Sequence, residues 1–210
     1  MISVLLLFLK CFLVGVIVSA PMGPVGVLCV QRTLNKGRWY GFVTGCGAAL
    51  SDLIYAAATG YGMKWVDPLI HTHRLWLQVF GSLLLFGFGL YMFLSNPIKS
   101  VRQPSKQRDG YWHNGVTAFL VTFSNPMILL LFIALFARFD VTLHVLPDFQ
   151  KMIAYAMIIT GALLWWFVLT TGVNMVRERF NLRGIFLINR TMGAVVMIAA
   201  VIGVLFTLFA

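Results

Sequence analysis

A chain of 210 residues that is 60% hydrophobic and only 10% charged, with a mean hydropathy of +0.89, lies far outside the composition of soluble domains. It reads as an integral membrane protein with nothing left over for a soluble domain. The net charge of +10 does not point to nucleic acid, because basic residues gather in the short segments between apolar runs, as they do in cytoplasmic loops.

Six apolar runs reach the about 20 residues that a helix needs to cross a bilayer. They cover roughly residues 4–30, 41–63, 75–94, 115–137, 152–175 and 185–208. The first could be mistaken for a secretory signal ending at "VSA". Pro21 directly after the cut, the lack of a leading basic region, and Lys10 inside the run argue against that. Within it stands "SAPMGPVG", residues 19–26, with two prolines and two glycines where an anchor would have none. A proline inside a helix removes a donor and displaces the carbonyl four residues earlier. Pro21 and Pro24 would thus free the carbonyls of Ile17 and Ala20. Such groups are tolerated at membrane depth only against protein or a wet cavity, where they can hold an ammonium group or a cation. Gly23 and Gly26 would let a ligand or a helix approach the backbone.

The second run carries Asp52, the one acidic side chain placed away from the ends of any apolar segment. Such a residue costs about 2.5–3.5 kcal/mol on insertion scales, so something must offset it. Gly41, Gly45, Ala48, Asp52, Ala56 and Thr59 share one helical face of small and polar residues, which should turn inward. Low dielectric disfavours the charged carboxylate, which suits a group that binds and releases a proton. A purely structural acid bonded to Ser51 or a carbonyl is the alternative.

Beyond it, His71 and His73 near Asp67 read as ordinary outer-loop residues, since a metal site needs further ligands. On the third run Gln78, Gly81, Ser82, Leu85 and Gly89 form a packing stripe. "KSVRQPSKQRDG" follows as a solvated loop near anionic lipid. The fourth run contains "TFSNPMILLL", where Pro126 would free the carbonyl of Thr122. Trp165 and Trp166 lie mid-run in the fifth, as packing residues or as the wall of a cavity. Cys11, Cys29 and Cys46 form no C-x-x-C and read as small packing residues.

The links after the first, third and fifth runs hold eleven basic residues against five elsewhere. That bias places those links in the cytoplasm and both termini outside. Two sets of three helices must enter the membrane from opposite sides, and "SAPMGPVGVL" is faintly matched by "TFSNPMILLL". The plan is that of inverted-repeat transporters, whose site lies where paired helices are broken. "GAAL" at Gly47 and "GALL" at Gly161 add a shorter match.

These motifs, in this order, resemble the lysine exporter (LysE) family of bacterial amino-acid exporters over nearly the whole chain. Pro21-Met22-Gly23-Pro24 with the basic "QRTLNKGRWYG", Gly47 to Asp52, Asn125-Pro126 and "LINRTMG" carry the resemblance. Met127 stands where the family usually has lysine, and Val25 where some exporters of basic amino acids have glutamine.

The expectation is an all-α, polytopic protein of six transmembrane helices in two inverted repeats, about 1–95 and 115–210, forming one transporter domain. The resemblance implies a non-enzymatic, secondary active exporter of amino acids or related metabolites in a bacterial inner membrane. Pro21, Gly23, Pro24, Asn125 and Pro126 would bind substrate, and Asp52 would carry the coupling proton. Its partners are that small molecule, protons and the lipid bilayer, with no cofactor, metal or nucleic acid, and with a homo-oligomer as an open alternative to a monomer. Rival readings are a metal-ion or other cation exporter, and a membrane thiol–disulfide carrier. The second needs cysteines in both halves, and none follows Cys46.

Overall fold

The computed structural model describes residues 2–21, 23–94, 110–143, 145–175 and 182–209. The regular structure of these residues is helical throughout: α1 (Ile2–Ser19), α2 (Pro24–Lys36), α3 (Arg38–Leu94), α4 (Tyr111–Phe123), α5 (Pro126–Phe139), α6 (Asp148–Met175) and α7 (Leu182–Phe209). The basic loop 99–108 and residues 177 and 179 lie outside the described residues, as do the side chains of Asp67, His71, His73, Gln78 and Arg183.

Arg38–Gly62 and Asp148–Met175 are each long and apolar enough to cross a membrane. Two further candidates are broken. α1 and α2 meet at 77°, and α4 and α5 meet at 69°. The first and fourth apolar runs therefore fold as bent pairs, where the sequence places its prolines. α2 and α3 are joined by Gly37 alone, whose φ of +101° suits a residue without a Cβ.

The reversal expected at 64–74 does not interrupt the backbone, which runs as one helix from Arg38 to Leu94. Past Gly62 the sequence there holds one turn-forming pair, Asp67-Pro68, and the helix carries through it. A straight rod of this length would measure about 86 Å, against a hydrocarbon core of about 30 Å. Along a straight rod, its apolar stretches Arg38–Gly62 and Ser82–Tyr91 could not both lie in one bilayer.

Packing pairs α1 with α6, α4 and α5 with α3, and α7 with α3. Glycines make three of these seams, those of α1 with α6, α4 with α3 and α7 with α3. A Cβ on Gly15 would run into the Ile158 carbonyl, and one on Gly161 into that of Phe12, so α1 and α6 touch backbone to backbone. One on Gly47 would strike the Gly115 carbonyl of α4. The glycines of "GAAL" and "GALL" thus do the same job, each seating its helix on the first half of a broken pair. Along the third seam, Cβ atoms on Gly89 and Gly193 would come within 2.9 and 2.7 Å of the other's carbonyl oxygen. Of the stripe expected on this run, Ser82, Leu85 and Gly89 are buried, as a packing surface requires, and the burial of Gln78 and Gly81 lies outside what the structure describes.

Apolar side chains close the rest. Phe132, Leu135 and Phe136 of α5 pack with Val14 of α1 and Ile158 of α6. Trp166 of α6 lies against Gly45 of α3 in a second cluster with Val27 and Val30 of α2. Leu50, Ile54 and Tyr61 on the other side of α3 stay exposed, as a lipid-facing surface requires.

Candidate functional site

The first break begins where α1 runs out of donors. Ala20 donates to the Val16 carbonyl at 3.0 Å, and Pro21, lacking an N–H, cannot continue the ladder. Gly23 then caps α2 in an extended conformation, with Pro24 at its first position. A Cβ on Gly23 would meet nothing within 4 Å, so the break has open space beside it. Gly23 is thus not a close-packing residue, unlike the glycines of the seams.

At the second break the same chemistry recurs. Asn125 caps α5, its side-chain oxygen accepting from the Met127 amide at 3.2 Å, and Pro126 occupies the first position of the helix. Here one expectation is corrected. The Thr122 carbonyl is not left free by Pro126, because the Asn125 N–H donates to it at 3.0 Å. Proline at the start of a helix costs no internal bond; Pro24 and Pro126 open new helices instead of kinking old ones.

Both breaks close onto one turn of α3. Ser19, the last residue of α1, donates its hydroxyl to Asp52 Oδ2 at 3.2 Å. Three residues on, the Tyr55 hydroxyl donates to the carbonyl of Phe123, the last residue of α4, at 2.5 Å. The small-residue face is buried as its spacing requires, with Gly41, Gly45, Ala48, Asp52, Ala56 and Thr59 all turned inward. Asp52 itself is 4% exposed. Its hydrogen bond is with Ser19, across 33 residues, and not with neighbouring Ser51. Thus the structure joins Asp52 to the first break, and it is Tyr55 that reaches the second, where Asn125 and Pro126 stand.

Several polar atoms of α3, α4 and α6 are buried without a partner among the described residues, among them the hydroxyls of Ser51, Thr59 and Thr122 and the indole N–H groups of Trp165 and Trp166. Buried polar groups are normally satisfied, so their concentration on α3, α4 and α6 marks the interior as chemically unusual.

Arg32 was legible only as one of the basic loop residues. It is in fact a bridge. From α2 its Nη1 donates to Thr44 Oγ1 of α3 at 3.0 Å and to the Asn114 carbonyl of α4 at 2.8 Å, while Nη2 donates to Thr117 Oγ1 at 2.7 Å. Nothing local in the sequence announces this, since two of the acceptors lie more than 80 residues away. Tyr55 was missed for the same reason.

Cys29 donates its thiol to the Gly41 carbonyl at 3.3 Å and is fully buried, as is Cys11, which fits their reading as packing residues. Among the described residues no three His, Cys, Asp or Glu side chains gather as metal ligands.

Residues 16–210 match the family model described as LysE type translocator. A protein of Bacillus subtilis (strain 168) named "Putative amino acid efflux protein YcgF" is 26% identical over 191 residues, covering 85% of this chain and 87% of that one. "Uncharacterized membrane protein YahN" of Escherichia coli (strain K12) is 25% identical over 175 residues, covering 81% and 77%. No solved structure matches.

Proposed function

Because the chain belongs to the LysE type translocator family, we propose that it exports amino acids or related small metabolites across a bacterial inner membrane, driven by protons returning the other way. One observation carries this reading: two broken helices, from opposite halves of the chain, are tied to a single turn of α3 by Asp52 and Tyr55. In secondary transporters, substrate and coupling ion bind where paired helices are interrupted near the midplane. The helix starts at Gly23-Pro24 and Asn125-Pro126 offer positive dipole ends suited to a carboxylate. Asp52, beside the first break, is the group to take up and release the proton.

The packing supports two inverted repeats forming one domain. α1–α2 corresponds to α4–α5, the span Arg38–Gly62 to α6, and the apolar segment after residue 81 to α7. Under that exchange the α1–α6 seam becomes the α4–α3 seam, and the α3–α7 seam maps onto itself. Six spans then require a reversal near 64–74, with both termini outside the cell. Length agrees with this, since α3 as one straight rod cannot place both of its apolar stretches in one bilayer.

The test is an untargeted comparison of metabolites held inside cells with and without the protein, with metal ions measured in the same extracts. Lower internal levels of one or a few amino acids in expressing cells are expected. Unchanged amino acids with a depleted metal would replace this reading by cation export.

A further inference from the structure

Thr44 and Thr117 do not meet Arg32 by chance orientation. The Thr44 hydroxyl donates to the Tyr40 carbonyl at 2.8 Å, and that of Thr117 to the His113 carbonyl at 2.8 Å. With each hydroxyl hydrogen committed to its own helix, the oxygen presents lone pairs outward as an acceptor. Two helices thus hold fixed acceptors for the planar fork of one guanidinium on a third.

Beside this bridge sits Asn114, whose carbonyl accepts from Arg32 while its side chain is 0% exposed. Both side-chain atoms, Oδ1 and Nδ2, lack a partner among the described residues. A dry, unpaired amide is among the costlier groups to bury, and an apolar residue of similar size would avoid the cost. Its presence makes sense if it is wet in another conformation. The end of the bundle is the one that carries Lys36 and Arg38, and α2 reaches it directly from the first break.

We propose that Arg32 is the latch of a gate at this end of the pathway, and that Asn114 is the polar group which the latch keeps dry and its opening presents to the transported molecule. The inference rests on the transport reading above. In the described conformation the gate is shut: α2 is fastened to α3 and α4, and the Asn114 amide is sealed. Release of the guanidinium lets α2 swing from Gly37, water reaches Asn114, and the amide gains the partners that the closed state denies it. That gain offsets part of the cost of releasing the latch, so the two states lie close enough in free energy to alternate.

The test uses a chain whose three native cysteines are alanine and which carries Ala118→Cys. Ala118 is fully buried one turn from Asn114 and should react slowly with a hydrophilic maleimide. Loss of one charge-assisted bond shifts a two-state equilibrium by about tenfold, so Arg32→Gln should speed labelling by at least that factor. Thr117→Val, which removes a single acceptor and keeps the shape, should move it the same way by a smaller factor. Labelling unchanged in both would overturn the latch. Asn114→Leu should leave the protein as thermally stable as wild type or more so, yet lower the export rate found in the metabolite assay; wild-type export would remove Asn114 from the pathway. Labelling needs no substrate, so the latch stands or falls even if amino-acid export does not.

Discussion

Alanine at Gly15 or Gly161 should separate α1 from α6. At Gly15 the new Cβ would lie 2.8 Å from the Ile158 carbonyl carbon and closer still to its oxygen; at Gly161 it would lie 3.1 Å from the Phe12 carbonyl carbon and again closer to the oxygen. Ordinary contact begins near 3.4 Å, and both obstacles are backbone, so no rotamer change relieves them. The helices must part by roughly 1 Å or more along a seam that also holds Val14 and Ile158, an overpacking cost of about 1–3 kcal/mol. Alanine returns about 1 kcal/mol of helix propensity. The net loss should therefore be up to about 2 kcal/mol for these two variants, toward the upper end because both obstacles are backbone. At Gly89 and Gly193, where the shortfall is smaller, the two effects should nearly cancel. Gly87 and Gly172, in helices with nothing within 4 Å of a new Cβ, should gain up to about 1 kcal/mol. Thermal scans in detergent, read as loss of the monodisperse chromatographic peak, rank the whole series. Gly15→Ala and Gly161→Ala melting as high as Gly172→Ala would refute the backbone contact. The double variant should lose less than the sum, because one parting of the helices accommodates both.

Asp52→Asn keeps the shape and an acceptor for Ser19 but cannot release a proton, so it should insert normally and lose pH-driven uptake in inverted vesicles. Uptake equal to wild type at matched abundance would take Asp52 out of the coupling. Gly23→Leu, placed in open space, should fold at wild-type yield and abolish export, and retained export would move the pathway away from the first break. Asn125→Ala removes the bond to the Met127 amide and should cost about 1 kcal/mol, whereas Pro126→Ala should cost less in the same thermal scan because the cap remains. Reporter fusions after residues 35, 104 and 183 should report cytoplasm, and those at 72 and 147 the outside. A cytoplasmic reading at 72 would remove the reversal and the inverted repeat with it.

The small-residue face of α3 was legible because spacing alone determines which residues share a side of a helix, and a buried carboxyl in an apolar run has few places to go. The breaks were legible as positions but not as geometry. Serine, asparagine and proline at 124–126 spell a cap followed by a first-turn proline, yet proline in an apolar run suggested a kink, and so the Thr122 carbonyl was expected to stand free. Membrane helices make that choice hard, since caps and kinks draw on the same residues. Arg32 and Tyr55 could not be read at all. Their partners lie on other helices, and only the fold tells a basic residue in solvent from one bridging to two other helices at once.

The three glycine seams bear on how the bundle holds its shape while its breaks change theirs. A helix surface made of glycine has no rotamers to freeze when it meets a neighbour, whereas longer side chains surrender up to about 2 kcal/mol of rotational freedom each. At Gly15–Gly161, Gly47–Gly115 and Gly89–Gly193 the glycines themselves therefore add no side-chain entropy cost to assembly. Freedom to rearrange is left to the places where side chains make the junctions: Ser19 on Asp52, Tyr55 on Phe123, Asn125 at the head of α5, and Arg32 between α2, α3 and α4. The molecule is thereby divided between seams set by backbone contact and junctions made by side chains, and the side-chain junctions are the two interruptions and the Arg32 bridge.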